Sequence, residues 1–532
     1  MAIVHLKNKQ NGTTYVYESE NYWDKNKKQS RSRRKCLGKL DPATGELILS
    51  KNIQYQLPVI SKPGPVPITE IKHSFYGATF LLDNIGELTG ITADLRKCFP
   101  TTYKQILSIA YFLILEDYNP LYRFPKWSAT HRHPYGKDIT SLRSSEFFMS
   151  ITEADRERFF QLQGRRRLEN EYWAYDITSL SSYSECLKQV RYGKNKEHDH
   201  LEQINLAMLF GEKSGLPFYY RKLPGNIPDV KTVKNLLSDI DFLDYGKVKL
   251  VMDRGFYSEE NINGLFHEHL KFIVATKTNL RYVKDAIDSV KPTIGNWSNY
   301  DPDQNLYITS QSIWWDYRKE RPNKGDIERG KRRVYLHIYF DKERESNESQ
   351  KFSKQLVSLK RELESGKRVV EHEPQYVKYF LIEGNTNSGI KVIPRQEVID
   401  LVQKHHGFFA LLSNDVKDPI LALQLYRSKD LIEKGFGDLK DHLSFRRMEV
   451  SSELSLDGKL FIEFIALIFL SYIKKIMQDK HLFQNYTMHG LLDEFDIIDC
   501  YEQPGHDIRW GETTKKQRDL FKEFGVQFPT TL

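Results

Sequence analysis

Residues 247–256 read KVKLVMDRGF. A short apolar run that ends in an acid and a glycine is typical of a buried strand that stops at a turn. A similar run, EYWAYDITSLSSYS at residues 171–184, passes into polar residues at Asp176. An acid at the carboxyl end of a strand emerges where open α/β sheets place their sites, although such acids are also common turn formers. Asp176 and Asp253 are therefore candidates for one site, because paired carboxylates can jointly hold a hard divalent cation.

The segments around these two strands predict the fold class. A hairpin at 203–226 is followed by a helix, the strand ending at Asp253, a second helix and the strand KFIVATK. This order predicts an α/β fold, a mixed sheet with helices packed on it. Residues 281–405 interrupt it with short strands and one charged helix near 348–366. A strand at 407–415 and a helical region at 418–480 then resume it.

The N-terminal part differs in pattern and in charge. Residues 1–60 predict a small β unit with the basic run KNKKQSRSRRKCLGK, and residues 75–162 predict helices. Residues 1–40 hold ten Lys/Arg against three Asp/Glu, a local net charge of +7, whereas the whole chain carries +8. Such a concentrated basic stretch suits a polyanion, and it also suits a solvated terminus.

The composition excludes several classes of protein. The four cysteines are far apart, which argues against a zinc finger and a disulfide framework. The start, MAIVHLKNKQ, lacks the apolar region of a signal peptide, and the apolar run 460–473 is too short to span a bilayer. A cytoplasmic protein without a membrane partner is expected. Two His-x-His pairs are read as surface histidines rather than metal ligands: His198 with His200, and His267 with His269.

A third acid lies in YRSKDLIEKGFGDLK, residues 426–440. Tyr426, Lys429, Glu433 and Lys440 are spaced by three, four and seven residues, which places them on one face if the stretch is a single helix. A carboxylate on this face can complete a metal site while the cations and the phenol grip phosphate. An amphipathic helix with an internal Glu–Lys pair is the alternative.

This last motif resembles the Tyr-x2-Arg-x3-Glu-x6-Lys motif of bacterial insertion-sequence DDE transposases. Tyr426, Glu433 and Lys440 match it, and Lys429 stands where Arg is usual, so the phosphate contact is weaker or is shared with Arg427. The stretches at 175–179 and 253–256 are similar to the motifs of the first and second acids. Residues 281–405 occupy the place of the β-rich insertion of these enzymes.

The resemblance implies an RNase H-like core that uses Asp176, Asp253 and Glu433 as catalytic and metal-binding residues. These acids would hold two Mg²⁺ or Mn²⁺ ions, roughly 3.5–4 Å apart, for in-line phosphoryl transfer. Tyr426, Lys429, Lys440 and Arg427 would bind DNA, and a homodimer would act on terminal inverted repeats and target DNA. Six segments are expected: a basic β-rich unit (1–65), a helical DNA-binding region (66–165), the first part of the core (166–280), a β-rich insertion (281–405), the second part of the core (406–485) and a C-terminal region (486–532).

Other interpretations of the sequence stay open. The chain could be an inactive, transposase-derived DNA-binding protein, or a nuclease with the same core and no strand transfer. In related enzymes an insertion-domain aromatic supports a flipped base, which draws attention to Trp314 and Trp315. Consecutive strand residues face opposite sides, so at most one of them serves this role, and core packing is the alternative.

Overall fold

The computed structural model describes residues 2–24, 29–42, 44–50, 71–116, 119–167, 171–182, 187–193, 201–243, 245, 248–320, 327–383, 391–441, 443, 447–448 and 452–529. Contacts divide the chain into two compact units. One comprises residues 1–72 and 503–506, and the other comprises residues 73–502 and 507–532. The six segment boundaries expected from the sequence remain predictions.

The first unit contains a four-stranded antiparallel sheet in the order β1-β2-β3-β4, as the alternating pattern predicts. Its strands are β1 (Ala2–Lys7), β2 (Thr14–Asp24), β3 (Gln29–Leu40) and β4 (Leu47–Leu49). Few of its described residues are buried, among them Val16 and Ser19. Seven consecutive residues of β3, 29–35, are exposed, so this sheet has little core of its own.

The second unit begins with the strand β5 (Lys72–Phe75) and a helical region, again as expected. Its helices are α1 (Gly77–Thr89), α2 (Ile91–Cys98), α3 (Tyr103–Leu115), α4 (Phe124–Thr130), α5 (Ser141–Ser150) and α6 (Glu153–Arg165). The sequence of α3, YKQILSIAYFLIL, is apolar on nearly every side, and residues 106–112 are buried. A helix that is apolar all round belongs in an interior, so α3 forms the centre of this region.

A large mixed sheet carries the two candidate strands. Its first strands are β6 (Trp173–Ser182), β7 (Glu202–Gly211), β8 (Pro217–Pro224), β9 (Lys249–Met252) and β10 (Lys271–Thr276), with α7 (Asp229–Phe242) and α8 (Glu259–His267) between them. These strands lie in the order β10-β9-β6-β7-β8, with β9 parallel to β6 and β10, and β7 antiparallel to β6 and β8. The α/β class predicted from the sequence, a mixed sheet flanked by helices, is confirmed.

The interrupting stretch combines a long β-hairpin with a helical segment. After α9 (Arg281–Ile294) come the strands β11 (Tyr300–Asp301), β12 (Leu306–Glu320) and β13 (Ile327–Phe340), and β13 joins the large sheet beside β16 (Phe408–Ser413). The elements that follow β13 are α10 (Lys342–Glu364), α11 (Glu373–Tyr379), β14 (Phe380–Glu383), β15 (Lys391–Pro394) and α12 (Gln396–Gln403). They enclose a separate apolar cluster around Phe352, Leu359 and Tyr376. The charged helix expected near 348–366 is α10, which begins six residues earlier because Asp341 caps it.

Three helices follow β16 and complete the architecture near the candidate site. They are α13 (Pro419–Arg427), α14 (Asp430–Asp441) and α15 (Glu453–Asp479). The apolar run 460–473 lies inside α15 and is almost wholly buried against α3, α5 and β8. The short strand β17 (Arg447–Met448) runs parallel to β6.

The last part of the chain returns to the start of the second unit. Its elements are α16 (Met488–Asp496), β18 (Asp499–Glu502), β19 (Arg509–Trp510) and α17 (Lys515–Glu523). Strand β18 lies between β5 and β19, and α16 packs on α1. Within the described ranges, no helix combines the length and apolarity that crossing a membrane requires.

Candidate active site

The pairing of β6 with β9 places the first two acids at the same level. Tyr175 lies opposite Met252 in this parallel pair, so the next residues along the two chains are Asp176 and Asp253. Adjacent strands lie about 4.8 Å apart, which brings the two acids close together. The Asp176 carboxylate accepts a hydrogen bond of 2.8 Å from the backbone N–H of Ile177.

Tyr426 forms a hydrogen bond with Asp253. Its phenol Oη donates a 2.6 Å hydrogen bond to Asp253 Oδ1. Burial opposes ionisation of Asp253, yet this hydrogen bond, the charge of Lys429 and the backbone N–H and charge of Arg254 together lower its pKa below the usual value. Burial and the negative charge of Asp253 raise the pKa of Tyr426, so the phenol keeps its proton and acts as a donor.

The single helix predicted for residues 426–440 is wrong. Tyr426 lies near the end of α13, whereas Glu433 lies in α14, and the helical pattern is interrupted at Ser428 and Lys429. The Lys429 N–H turns back to the Tyr426 carbonyl at 3.3 Å, and a new set of helical bonds begins with Ile432 N–H donating to the Lys429 carbonyl. Tyr426 therefore lies in a different helix from Glu433, and its phenol positions the Asp253 carboxylate.

Lys429 interacts electrostatically with all three acids. Its Nζ lies 2.9 Å from Glu433 Oε1, and its side chain is only 14% exposed, against 58% for Glu433. Burial tends to lower the pKa of Lys429, but the Glu433 hydrogen bond and the charges of Asp253, Glu433 and Asp176 raise it. The Lys429 ammonium therefore forms an ion pair with Glu433 and interacts electrostatically with Asp253 and Asp176.

The carboxylates fit a hard divalent cation in their chemistry. Magnesium and manganese prefer oxygen donors, and the lowered pKa of Asp253 keeps one donor ionised. Among the residues that the structure describes, no three His, Cys, Asp or Glu side chains are arranged closely enough to hold a metal ion. In this arrangement the Lys429 ammonium compensates the charge of Glu433.

Two contacts fix α14 against the rest of the unit. A Cβ at Gly435 would lie 2.5 Å from Cζ of Phe210 on β7, so only glycine permits this close packing. Asp438 is 4% exposed and receives two hydrogen bonds, 2.8 and 2.9 Å, from Lys474 of α15. The close packing at Gly435 is thus against an aromatic ring.

A cationic cleft opens beside Asp253 and Tyr426. Its volume is about 840 Å³, and it is also lined by Asp341 and by polar residues that follow β10. Four basic side chains line it: Arg254, Lys277, Arg344 and Arg427. The sequence motif contained Arg254, but Lys277 and Arg344 were not predicted, because only the fold brings the end of β10 and the start of α10 together. Such a lining suits a phosphate backbone.

The other residues considered as DNA contacts are Arg427, Lys440 and one of the two neighbouring tryptophans. Arg427 is exposed at the cleft and donates a hydrogen bond to Gln304. Lys440 lies in α14, but its side chain falls outside the described residues. The neighbouring tryptophans face opposite sides, as expected: Trp315 is 8% exposed and donates to Asn263, whereas Trp314 is 63% exposed.

Of the two His-x-His pairs, the structure describes one. His267 and His269 are exposed, which confirms the surface interpretation for this pair, and His267 contacts Glu268. His198 and His200 lie outside the described residues.

A protein-family model and solved structures are similar to this chain. Residues 169–469, more than half of the chain, match the model of the family described as Transposase DDE domain. A search of the curated proteins gave no match. Among solved structures, a cryo-EM structure of piggyBac transposase in a synaptic complex with hairpin DNA is similar at 11% identity and a TM-score of 0.35, covering 75% of this chain and 71% of that chain. The family match, which spans all three acids, places this protein in the DDE transposase family.

Proposed function

We propose that this protein cuts and rejoins DNA at the ends of an insertion element, with Asp176, Asp253 and Glu433 as its catalytic residues. The observation that carries the proposal is the register that sets Asp176 and Asp253 at one level on adjacent strands, with Glu433 tied to both through the charge of Lys429. The family match supports the same assignment, because the matched residues include all three acids.

Each neighbouring side chain has a separate task in this proposal. Tyr426 keeps Asp253 oriented and ionised, and Lys429 holds Glu433 until substrate arrives. The cations of the cleft then fix the DNA backbone, since Arg427, Arg254 and Arg344 present guanidinium groups that can bind phosphate oxygens in pairs. No side chain forms a covalent bond to DNA.

Asp176, Asp253 and Glu433 would hold the divalent cations, Mg²⁺ or Mn²⁺, as two ions. When bound, such ions supply a nucleophilic oxygen at neutral pH and stabilise the charge on the leaving oxygen. The chain itself binds and orients the scissile strand. The withdrawal of Lys429 from Glu433 would free that carboxylate and place an ammonium near the incoming phosphate.

The partners follow from this chemistry. The proposed substrates are the terminal inverted repeats of the element and a target DNA, and a homodimer would hold both ends together. An exposed Trp314, with Arg333 5.8 Å from its ring centre on the paired strand, would be available to stack on an unpaired base.

One incubation distinguishes the proposal from its alternatives. Purified protein is mixed with Mg²⁺ and a labelled duplex that carries the element's end next to flanking DNA. Cleavage at the end followed by joining to a second duplex is the expected result. Nicking at no defined position, without joining, would instead identify a nuclease. Binding without any product would identify an inactive DNA-binding protein.

A further inference from the structure

The sheet of the first unit carries a two-stranded extension. Strand β1 pairs with residues 14–19 of β2, and β4 pairs only with residues 38–40 of β3. Beyond them, five cross-strand pairs join residues 20–24 to residues 29–33, and within the described part no third strand lies beside residues 20–24 or 29–34. We call this extension the ribbon. A two-stranded ribbon is marginally stable alone, so its continuity with the sheet maintains it.

On one face of the ribbon, the charges of acids and arginines cancel each other. Glu20 lies opposite Arg33, and Tyr22 lies opposite Arg31. Arg31 also approaches Asp24, with an N–O distance of 3.7 Å. Opposite charges in such positions interact directly across the strands. This face therefore offers little net charge to a partner.

The other face carries no acid. Asn21 lies opposite Ser32, and Trp23 lies opposite Ser30, with Arg34 further along the same face. All five side chains are exposed, and Trp23 is 63% exposed. None of the five has a hydrogen bond or ion pair with another described residue. An amide, two hydroxyls and a guanidinium thus point outwards beside an exposed indole.

The shape and chemistry of this face fit duplex DNA. The major groove, about 12 Å wide, admits a two-stranded ribbon, and arginine, asparagine and serine are side chains that hydrogen-bond to base edges there. The excess of ten Lys/Arg over three Asp/Glu in residues 1–40 attracts the phosphate backbone on either side. Double-stranded RNA fits less well, because its major groove is deep and narrow.

We propose that the acid-free face of the ribbon reads base edges in the major groove of duplex DNA. It would supply the sequence recognition that the acids of the second unit do not provide. The inference rests on the proposed function only in taking DNA as the partner, since the ribbon needs neither a metal nor the three acids.

The test uses full-length protein in EDTA, so that no strand is cut. A pool of random-sequence duplexes is selected for binding, and the wild-type protein is expected to enrich one motif. The Asn21→Ala/Arg34→Ala variant should lose preference for that motif over scrambled DNA by roughly 5- to 150-fold, the range for loss of a bidentate base contact. Arg31→Ala, on the self-neutralised face of the same ribbon, is the matched control and should retain the preference.

Several outcomes would overturn the inference. They are retention of the motif by the double variant, selection of no motif by the wild-type protein, and preference for single-stranded DNA or RNA. Circular dichroism and the midpoint of urea unfolding, both compared with wild type, show whether the double variant is folded. A wild-type protein that selects a motif but never cuts DNA would support the ribbon while overturning the proposed function.

Discussion

Replacing Tyr426 with phenylalanine removes the hydrogen bond to Asp253 and leaves the ring in place. The bond is short, 2.6 Å, and its acceptor is a carboxylate with a lowered pKa. A hydrogen bond to a charged group contributes about 1.5–3 kcal/mol. Tyr426→Phe should therefore raise the pKa of Asp253, because the phenol no longer stabilises the ionised carboxylate.

The sign of the effect on stability follows from the direction of the shift. The folded-state pKa of Asp253 lies below its unfolded value, so the ionised carboxylate contributes stability above the unfolded pKa, and this contribution is lost as the pH falls through the folded pKa. Tyr426→Phe should therefore lower the free energy of unfolding at pH 7 by about 1.5–3 kcal/mol. The difference from wild type should disappear in acid, where Asp253 is protonated in both proteins.

The assay is the rate of strand cleavage, with DNA prebound, across a range of pH. The acid limb of the profile should move to higher pH in Tyr426→Phe. The matched control is Tyr282→Phe, which removes a phenol that donates to the Tyr257 hydroxyl at 3.0 Å instead of to an acid. An unchanged acid limb in a stably folded Tyr426→Phe protein would refute the role given to the phenol.

Two further predictions concern the packing of Gly435 and the burial of Glu463. Gly435→Ala should destabilise the protein by about 1–3 kcal/mol and slow cleavage, because its Cβ would collide with Phe210, whereas Gly437→Ala meets nothing within 4 Å and should gain about 1 kcal/mol of helix propensity. Equal urea midpoints for the two variants would contradict this account. Burial raises the pKa of Glu463 to about 8, with the Lys459 ammonium 3.9 Å away, so wild type should lose stability as the pH rises from about 4.5 to 8. Glu463→Gln should remove that loss. In thermal unfolding the variant should be more stable than wild type at pH 8–9 and similar to it near pH 4.5. The same dependence of stability on pH in both proteins would contradict this prediction.

Much of the core was predictable because local pattern and fold agree there. The apolar run that ends at Asp253 forms β9, and the run 460–473 forms a buried helix. The run at 171–184 forms the adjacent strand β6, but this strand continues to Ser182, so the expectation that Asp176 lies at a strand end is wrong. Their burial demands these residue types, so the sequence carries a strong signal. The large sheet follows from the order of such elements along the chain.

The geometry around the third acid was less predictable. The spacing from Tyr426 to Glu433 fits one continuous helix, and nothing local marks the break at Lys429. That break accompanies a tertiary contact, the hydrogen bond from Tyr426 to Asp253, which lies 173 residues away in sequence. In the same way, only the fold shows that Gly435 packs against Phe210.

The catalytic role of Glu433 is tested most directly with Glu433→Gln. Its cleavage rate on a labelled element end is measured in Mg²⁺, and its binding to the same DNA is measured in EDTA. The substitution keeps the shape of the side chain and removes the charge that a divalent cation needs. Asp430→Asn, an exposed acid on the same helix, is the control and should cleave at the wild-type rate. Glu433→Gln should give no detectable cleavage while it binds the element end as wild type does; cleavage at the wild-type rate would contradict the catalytic role of Glu433.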